Sequence, residues 1–211
     1  MALFHGYDGA KRREIMKKTL VIILGLSLGA GLARPGLAEE AKPLVVADFD
    51  NARKTNNLGQ PLEVWLREDG SDKTQNCEMS FVEDDALGKQ GGHAVRLDYD
   101  VESENPAYNG IRMGLNLLDP KPYKTLNFYL KGDKTKGFTK KLKIELIGQG
   151  KPPSPHMLED ITDRWKKFSV PLSEFWVTES GVPLEKFVVV FADINSDPKA
   201  GTIFLDQVYF E

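Results

Sequence analysis

Apolar and polar residues alternate along most of the chain after its first 40 residues. This pattern is typical of β-strands, because successive side chains of a strand point to opposite sides. Clusters of Gly, Pro, Asn and Asp separate the alternating segments and predict turns. The predicted strands are 44–50, 62–67, 76–83, 93–101, 109–117, 124–131, 140–147, 156–162, 165–171, 186–193 and 201–210. Residues 171–176 could form a short helical turn.

Many short antiparallel strands in about 170 residues predict one all-β domain, built as a sandwich or barrel. Four consecutive strands, from 93 to 147, each have one apolar and one polar side, and we interpret the polar sides as one shared sheet face. Sugars bind to aromatic rings and to charged or amide side chains. The predicted ligand-binding residues on this face are Asp98, Tyr108, Arg112, Asn127, Tyr129 and Glu145. The alternative is a solvated face with salt bridges such as Asp98–Arg112.

The first 38 residues have the layout of a secretory signal peptide. Residues 11–18 are basic, residues 19–33 are apolar, and Gly36-Leu37-Ala38 provides small residues for cleavage. The apolar run is shorter than the roughly 20 residues that a membrane-spanning helix needs. We therefore predict a periplasmic or secreted domain over residues 39–211, with no membrane span after cleavage. An uncleaved anchor is the alternative, and Met16 could be the true start.

Composition excludes several functions for residues 39–211. The whole chain has 28 basic and 31 acidic residues, and removing the six basic and two acidic residues of 1–38 leaves a net charge of −7. An acidic domain argues against nucleic-acid binding. Cys77 is the single cysteine, so no intramolecular disulfide can form, and we interpret it as a buried structural thiol. His93 and His156 lie in no recognisable catalytic motif, so we do not expect an enzyme.

Several short motifs, in this order, resemble those of galactose-binding-like jelly-roll domains, which occur as carbohydrate-binding modules. They also resemble the related domain of the complex I intermediate-associated proteins. The motifs are Asp48-Phe49-Asp50 and the segments 56–59, 94–99, 108–111, 126–132, 165–168 and 203–210. The resemblance implies a single jelly-roll β-sandwich of about 10–11 antiparallel strands that binds an oligosaccharide or polysaccharide.

The resemblance also implies a structural calcium ion between the first and last strands, with Asp48, Asp50 and Asp206 as ligands. Residues 48 and 50 point the same way on a strand, and Asp206 falls in an otherwise apolar row. A carboxylate in such a row is costly unless it is paired or bound to a metal, and carboxylates suit Ca²⁺. The alternative is that Asp206 accepts backbone N–H groups and the other two are solvated.

The hypothesis from sequence is therefore an exported, non-catalytic carbohydrate-binding domain with one structural calcium ion. The alternative, implied by the resemblance to the complex I assembly proteins, is an exported protein-interaction or assembly domain with no sugar ligand. A purely structural protein of the cell envelope is the third reading. Trp65 lies on the face opposite Val64, and the sequence leaves open whether it belongs to the core or to the rim.

Overall fold

The alternating segments form two antiparallel sheets in a computed structural model that describes residues 41–67, 74–83, 87 and 92–211. Residues 172–174 form a 3₁₀ turn and α1 is the single turn Trp176–Glu179. The strands are β1 (Leu44–Ala47), β2 (Leu62–Leu66), β3 (Asn76–Glu83), β4 (His93–Asp100), β5 (Tyr108–Leu118), β6 (Thr125–Gly132), β7 (Leu142–Gly148), β8 (Ser154–Leu158), β9 (Lys166–Pro171), β10 (Leu184–Ala192) and β11 (Ala200–Phe210).

One sheet, the six-strand sheet, has the order β3-β4-β11-β6-β9, and β1 also pairs with β11. The other, the five-strand sheet, has the order β2-β5-β10-β7-β8. All these pairings are antiparallel. The predicted jelly-roll β-sandwich is confirmed.

Aromatic rings join the two sheets in the core. Phe128 of β6 is fully buried, with its ring centroid 5.8 Å from Phe168 on β9 and 5.7 Å from Phe187 on β10 of the other sheet. Tyr99 of β4 stacks on Phe191 of β10 at 4.2 Å. Large rings bury much apolar surface and gain further from offset or tilted contacts, so these contacts fix how the sheets stack.

Consecutive strands from β4 to β7 alternate between the two sheets. The polar sides of β4 and β6 therefore lie on one outer surface of the sandwich, and those of β5 and β7 on the opposite one. The predicted single polar face is wrong in this respect. The physical reason is that alternation identifies which residues face the core, but the same pattern arises in either sheet.

A glycine on β5 allows two strands of the five-strand sheet to approach closely. Gly110 of β5 has φ +153°, and a Cβ there would lie 1.9 Å from the carbonyl oxygen of Val189 on β10, so a side chain would force these strands apart.

Cys77 of β3 is buried, as predicted, and burial, followed by the nearby charges of Asp98 and Glu78, raises its pKa to about 12.

The predicted signal peptide, residues 1–38, lies outside the described residues. In the part of the chain that is described, no helix is long and apolar enough to cross a membrane.

Candidate functional site

A trough follows β10 across the outer face of the five-strand sheet. The outward side chains of this central strand include Val188, Val190 and Ala192, which are short, aliphatic and buried. Arg112 of β5 and Glu145 of β7 present longer side chains on either side of Val188, so the surface is low at this position. A groove of about 160 Å³ opens there. Its lining residues are Trp65, Arg112, Glu145, Ile147, Lys186 and Val188.

Two aromatic residues form one wall of the trough. Trp65 of β2 pairs with Gly110, whose missing side chain leaves the neighbouring position on this face open. The Trp65 ring lies 5.8 Å from the ring of Tyr108, at 48°. Tyr108 is 40% exposed, and Arg67 lies over it with Cζ 5.7 Å from the ring centroid. Rings with an apolar face and a polar edge suit a ligand that offers both C–H groups and hydroxyls.

Among the described residues, the indole nitrogen of Trp65 is a donor without an acceptor. Nε1 is buried and has no hydrogen-bond partner in the described structure. A buried polar group without a partner costs free energy, and tryptophan N–H groups usually find one when buried. The unused donor therefore supports a site that acquires a partner from outside the chain.

Two ion pairs lie on either side of β10. Arg112 Nε is 2.9 Å from Glu63 Oε2, and Lys143 Nζ is 2.8 Å from Glu145 Oε1. Arg112 and Glu145 both pair with Val188 of the central strand, one from each side. Because partly exposed ion pairs contribute little free energy, these groups can exchange hydrogen bonds with sugar hydroxyls at small cost.

The structure divides the six predicted ligand-binding residues into two groups of three. Tyr108, Arg112 and Glu145 lie on the trough face of the five-strand sheet. Asp98, Asn127 and Tyr129 lie on the outer face of the six-strand sheet. The two groups lie on opposite outer faces, so they cannot contact one small ligand together.

Sequence reasoning missed Trp65 and Lys186 as trough residues. The signal for Trp65 was present, since Leu62, Val64 and Leu66 of β2 have the alternating spacing of one face, which places Trp65 on the other. What the sequence did not supply was the pairing of β2 with β5, which brings Trp65 beside Tyr108 and Arg112.

On the six-strand sheet, Asp98 is held by its neighbours. Arg96 donates two hydrogen bonds of 2.9 Å to it, Thr202 donates a third, and Lys136 Nζ lies 3.5 Å away. Burial by itself would raise the pKa of Asp98. The hydrogen bonds from Arg96 and Thr202 and the charges of Arg96 and Lys136 together outweigh burial and lower it.

Asn127 is only 1% exposed and is used within the sheet. Its Oδ1 accepts a hydrogen bond of 2.6 Å from Ser169, and its Nδ2 donates one of 2.9 Å to Thr125. The first of these hydrogen bonds joins β6 to β9, so Asn127 has a structural role within the sheet. Tyr129 is partly exposed and pairs with Lys167 of β9.

The three predicted calcium ligands do not converge. Asp48 accepts a hydrogen bond of 2.7 Å from Asn57 and another from the backbone N–H of Asp50. Asp206 accepts the backbone N–H of Gln207 at 2.7 Å, the contact expected if no metal is present. Within the described residues, no group of three or more His, Cys, Asp or Glu is placed to hold a metal. The set of three carboxylates does not fit a calcium ion by itself, and calcium binding stays a prediction.

Residues 55–211 match the family described as carbohydrate binding domain 30. The chain belongs to this family. The match includes every strand that forms the trough, from β2 onward. No curated protein matches the sequence significantly.

Solved structures of carbohydrate-binding modules share the fold. The family 11 module of the cellulosomal cellulase Lic26A-Cel5E of Clostridium thermocellum has a TM-score of 0.57 at 14% identity, over 81% of this chain and 94% of that one. The Clostridium thermocellum family 11 module in complex with a β-1,3-1,4-mixed-linked tetrasaccharide has a TM-score of 0.57 at 14% identity, over 80% and 94%. An exo-β-agarase has a TM-score of 0.56 at 8% identity, over 80% of this chain and 24% of that one.

Proposed function

We propose that this carbohydrate-binding domain is exported and non-catalytic, and that it holds an oligosaccharide in the trough of the five-strand sheet. The observation that carries the proposal is the contact between the rings of Trp65 and Tyr108 beside an aliphatic floor. Charged side chains flank that floor on both sides. Export rests on the signal-peptide pattern of residues 1–38.

Each part of the trough suits one part of a sugar. The rings can contact the C–H groups of a pyranose, and Val188 and Val190 form an apolar floor below it. Arg112, Glu145 and Lys186 can donate to or accept from hydroxyls. Because the strands fix these groups before the ligand arrives, little conformational entropy is lost from the protein on binding.

The first ligand to test is a β-1,3-1,4-mixed-linked tetrasaccharide, since the similar family 11 module of Clostridium thermocellum was solved with one. Binding is measured by isothermal titration calorimetry on the purified chain. We expect Trp65→Ala to weaken binding about 30-fold, the loss expected when a central tryptophan worth roughly 2 kcal/mol is truncated. Tyr129→Ala provides the matched control, since it removes a partly exposed ring from the opposite sheet.

The control variant should bind within about twofold of the wild type. Loss of binding in Tyr129→Ala with retention in Trp65→Ala would place the site on the six-strand sheet and contradict the proposal. If a folded wild-type chain binds no sugar on a glycan array, the assembly-domain alternative replaces the proposal.

A structural calcium ion remains a separate proposal, because Asp50 retains a buried carboxylate oxygen with no described partner. Calcium that binds the folded chain but not the unfolded chain must raise the melting temperature. No difference in melting between calcium and chelator would contradict it.

A further inference from the structure

Strand β5 has a bulge at the end of the trough where Lys186 lies. Lys186 of β10 pairs with Gly114 of β5. The next pair along these two strands is Leu184 with Leu118, so three residues of β5 lie opposite Glu185 alone. Bulges re-aim side chains and are common next to active sites, so this one is a place to look for a ligand contact.

The tip of the bulge, Asn116 and Leu117, points away from the core. Leu115 belongs to the core and Leu118 packs against it, whereas the two residues between them are exposed. Leu117 is 51% exposed. The bulge therefore presents an aliphatic side chain at the surface, at the Lys186 end of the trough.

Leu117 adopts a backbone conformation that leucine normally avoids. Asn116 has φ +53° and Leu117 has φ +55°, and both values lie in the left-handed region. Asparagine tolerates this region because its short polar side chain can hydrogen-bond locally, but the Cβ of a leucine comes too close to the next carbonyl oxygen. The chain thus keeps a strained and half-exposed leucine where asparagine or glycine would fit better. Strain of this kind is concentrated at functional sites.

We infer that Leu117 is a ligand contact that extends the trough, and that it packs on a sugar ring of the same glycan that contacts Trp65 and Tyr108. This inference rests on the proposed function of the trough. Gly110 pairs with Trp65, and the four residues from there to Gly114 span about 14 Å at roughly 3.4 Å per residue. A ligand that contacts both Trp65 and Leu117 must therefore contain more than two pyranose rings.

The Lys186 end offers the groups that one further sugar ring needs. Leu117 can cover C–H groups, and the Lys186 ammonium can donate to hydroxyls. Gln60 adds an amide, since its Oε1 lies where it would be 3.3 Å from a Cβ on Gly114. These residues belong to β5, to β10 and to the turn before β2, so the sheet positions all three groups before the ligand arrives.

The experiment compares two ligands of different length by isothermal titration calorimetry on the purified chain. One is the β-1,3-1,4-mixed-linked tetrasaccharide, and the other is the disaccharide cellobiose, measured by displacement of the tetrasaccharide. We expect Leu117→Asn to lower the tetrasaccharide affinity about fivefold, because the variant loses the apolar contact of a half-exposed leucine. Its affinity for cellobiose should stay within about twofold of the wild type, whereas Trp65→Ala should weaken both ligands.

Two further variants are controls. Leu117→Met keeps an apolar side chain and should bind the tetrasaccharide within about twofold of the wild type. Val45→Asn makes the same change from an aliphatic side chain to an amide at a 40% exposed position of β1, in the other sheet, and should leave binding of both ligands unchanged. Leu117→Asn should melt no lower than the wild type, because asparagine relieves the backbone strain.

Three outcomes overturn the inference. The first is an unchanged tetrasaccharide affinity in Leu117→Asn. The second is an equal loss for cellobiose, which would show a general disturbance of the trough. The third is a lower melting temperature in Leu117→Asn, which would show that the leucine serves the fold.

Failure of this inference and failure of the proposed function give different results. Tetrasaccharide binding that depends on Trp65 but not on Leu117 contradicts only the extension of the trough. A wild type that binds neither ligand, or binding that is unaffected in Trp65→Ala, contradicts the proposed function and the extension together.

Discussion

The two outer faces of this sandwich are built from the same alternation but differ in relief and in how their polar groups are used. On the five-strand sheet, the outward residues Val188, Val190 and Ala192 of the central strand are short and aliphatic, and the flanking ion pairs are partly exposed. On the six-strand sheet, the central strand carries Phe204 and Tyr209, with lysines over both rings, and Asp98 is held by Arg96, Thr202 and Lys136. The comparison teaches that small outward side chains on β10 leave room for a groove, whereas the rings of Phe204 and Tyr209 occupy the corresponding positions on β11.

The largest expected effect is a loss of stability of the whole sandwich, which carries both outer faces. Phe128→Ala should lower the free energy of unfolding by roughly 3–5 kcal/mol, because this ring contacts both sheets and its loss leaves a cavity. Urea denaturation measures the change, and Phe128→Leu, which keeps most of the volume, should cost much less. If the alanine variant costs under 1 kcal/mol, the core does not couple the sheets as described.

A smaller change should affect the trough side first. Gly110→Ala places a methyl group against the Val189 carbonyl at a φ that favours glycine. We expect a loss of about 2–3 kcal/mol in unfolding free energy and weaker binding of neutral glucan. The matched control is Gly150→Ala, which also has positive φ but has no atom within 4 Å of the new Cβ; it should cost about 1 kcal/mol. Equal costs for the two variants would show that the close approach of β5 and β10 does not matter.

The Asp98 network should make the six-strand sheet sensitive to acid. Its folded-state pKa lies below the ordinary value of 3.8, so its stabilising contribution is present above about pH 3.8 and is lost as pH falls through the folded pKa. Because the side chain is 34% exposed, the contribution is about 1 kcal/mol or less. Urea denaturation from pH 7 to pH 2 should show a shallower decline in Asp98→Asn than in the wild type. Parallel curves would contradict the assignment.

The smallest effect concerns the ion pairs of the trough. A double-mutant cycle of Glu63→Gln and Arg112→Gln should give a coupling free energy of roughly 0.2–0.5 kcal/mol, as is usual for exposed pairs. The cycle is measured by urea denaturation at low and high salt. A coupling above about 1.5 kcal/mol would mean that these groups are not free to exchange partners with a ligand.

Most strands could be predicted from sequence, because alternation and turn residues are local signals, but the predicted strand 44–50 ends at Ala47 and 156–162 overlaps β8 only over residues 156–158. The predicted strand 76–83 coincides with β3, and 93–101 differs from β4 by one residue. The candidate site could be predicted only in part. Tyr108, Arg112 and Glu145 were recognised as outward polar residues, but their separation from Asp98, Asn127 and Tyr129 depends on which strands pair. Pairing joins residues far apart in the chain, such as Trp65 and Gly110, and no local pattern encodes it.

The position of β10 and β11 also affects when the two outer faces form during folding. These last two strands in chain order occupy the middle of the two sheets: β10 joins β5 to β7, and β11 joins β4 to β6. During synthesis, β4, β5, β6 and β7 therefore each have an unpaired edge until the final segments are made. Exposed edges can pair with other chains. Folding dominated by such distant contacts is slow. Both faces should thus form late and together, rather than one after the other along the chain.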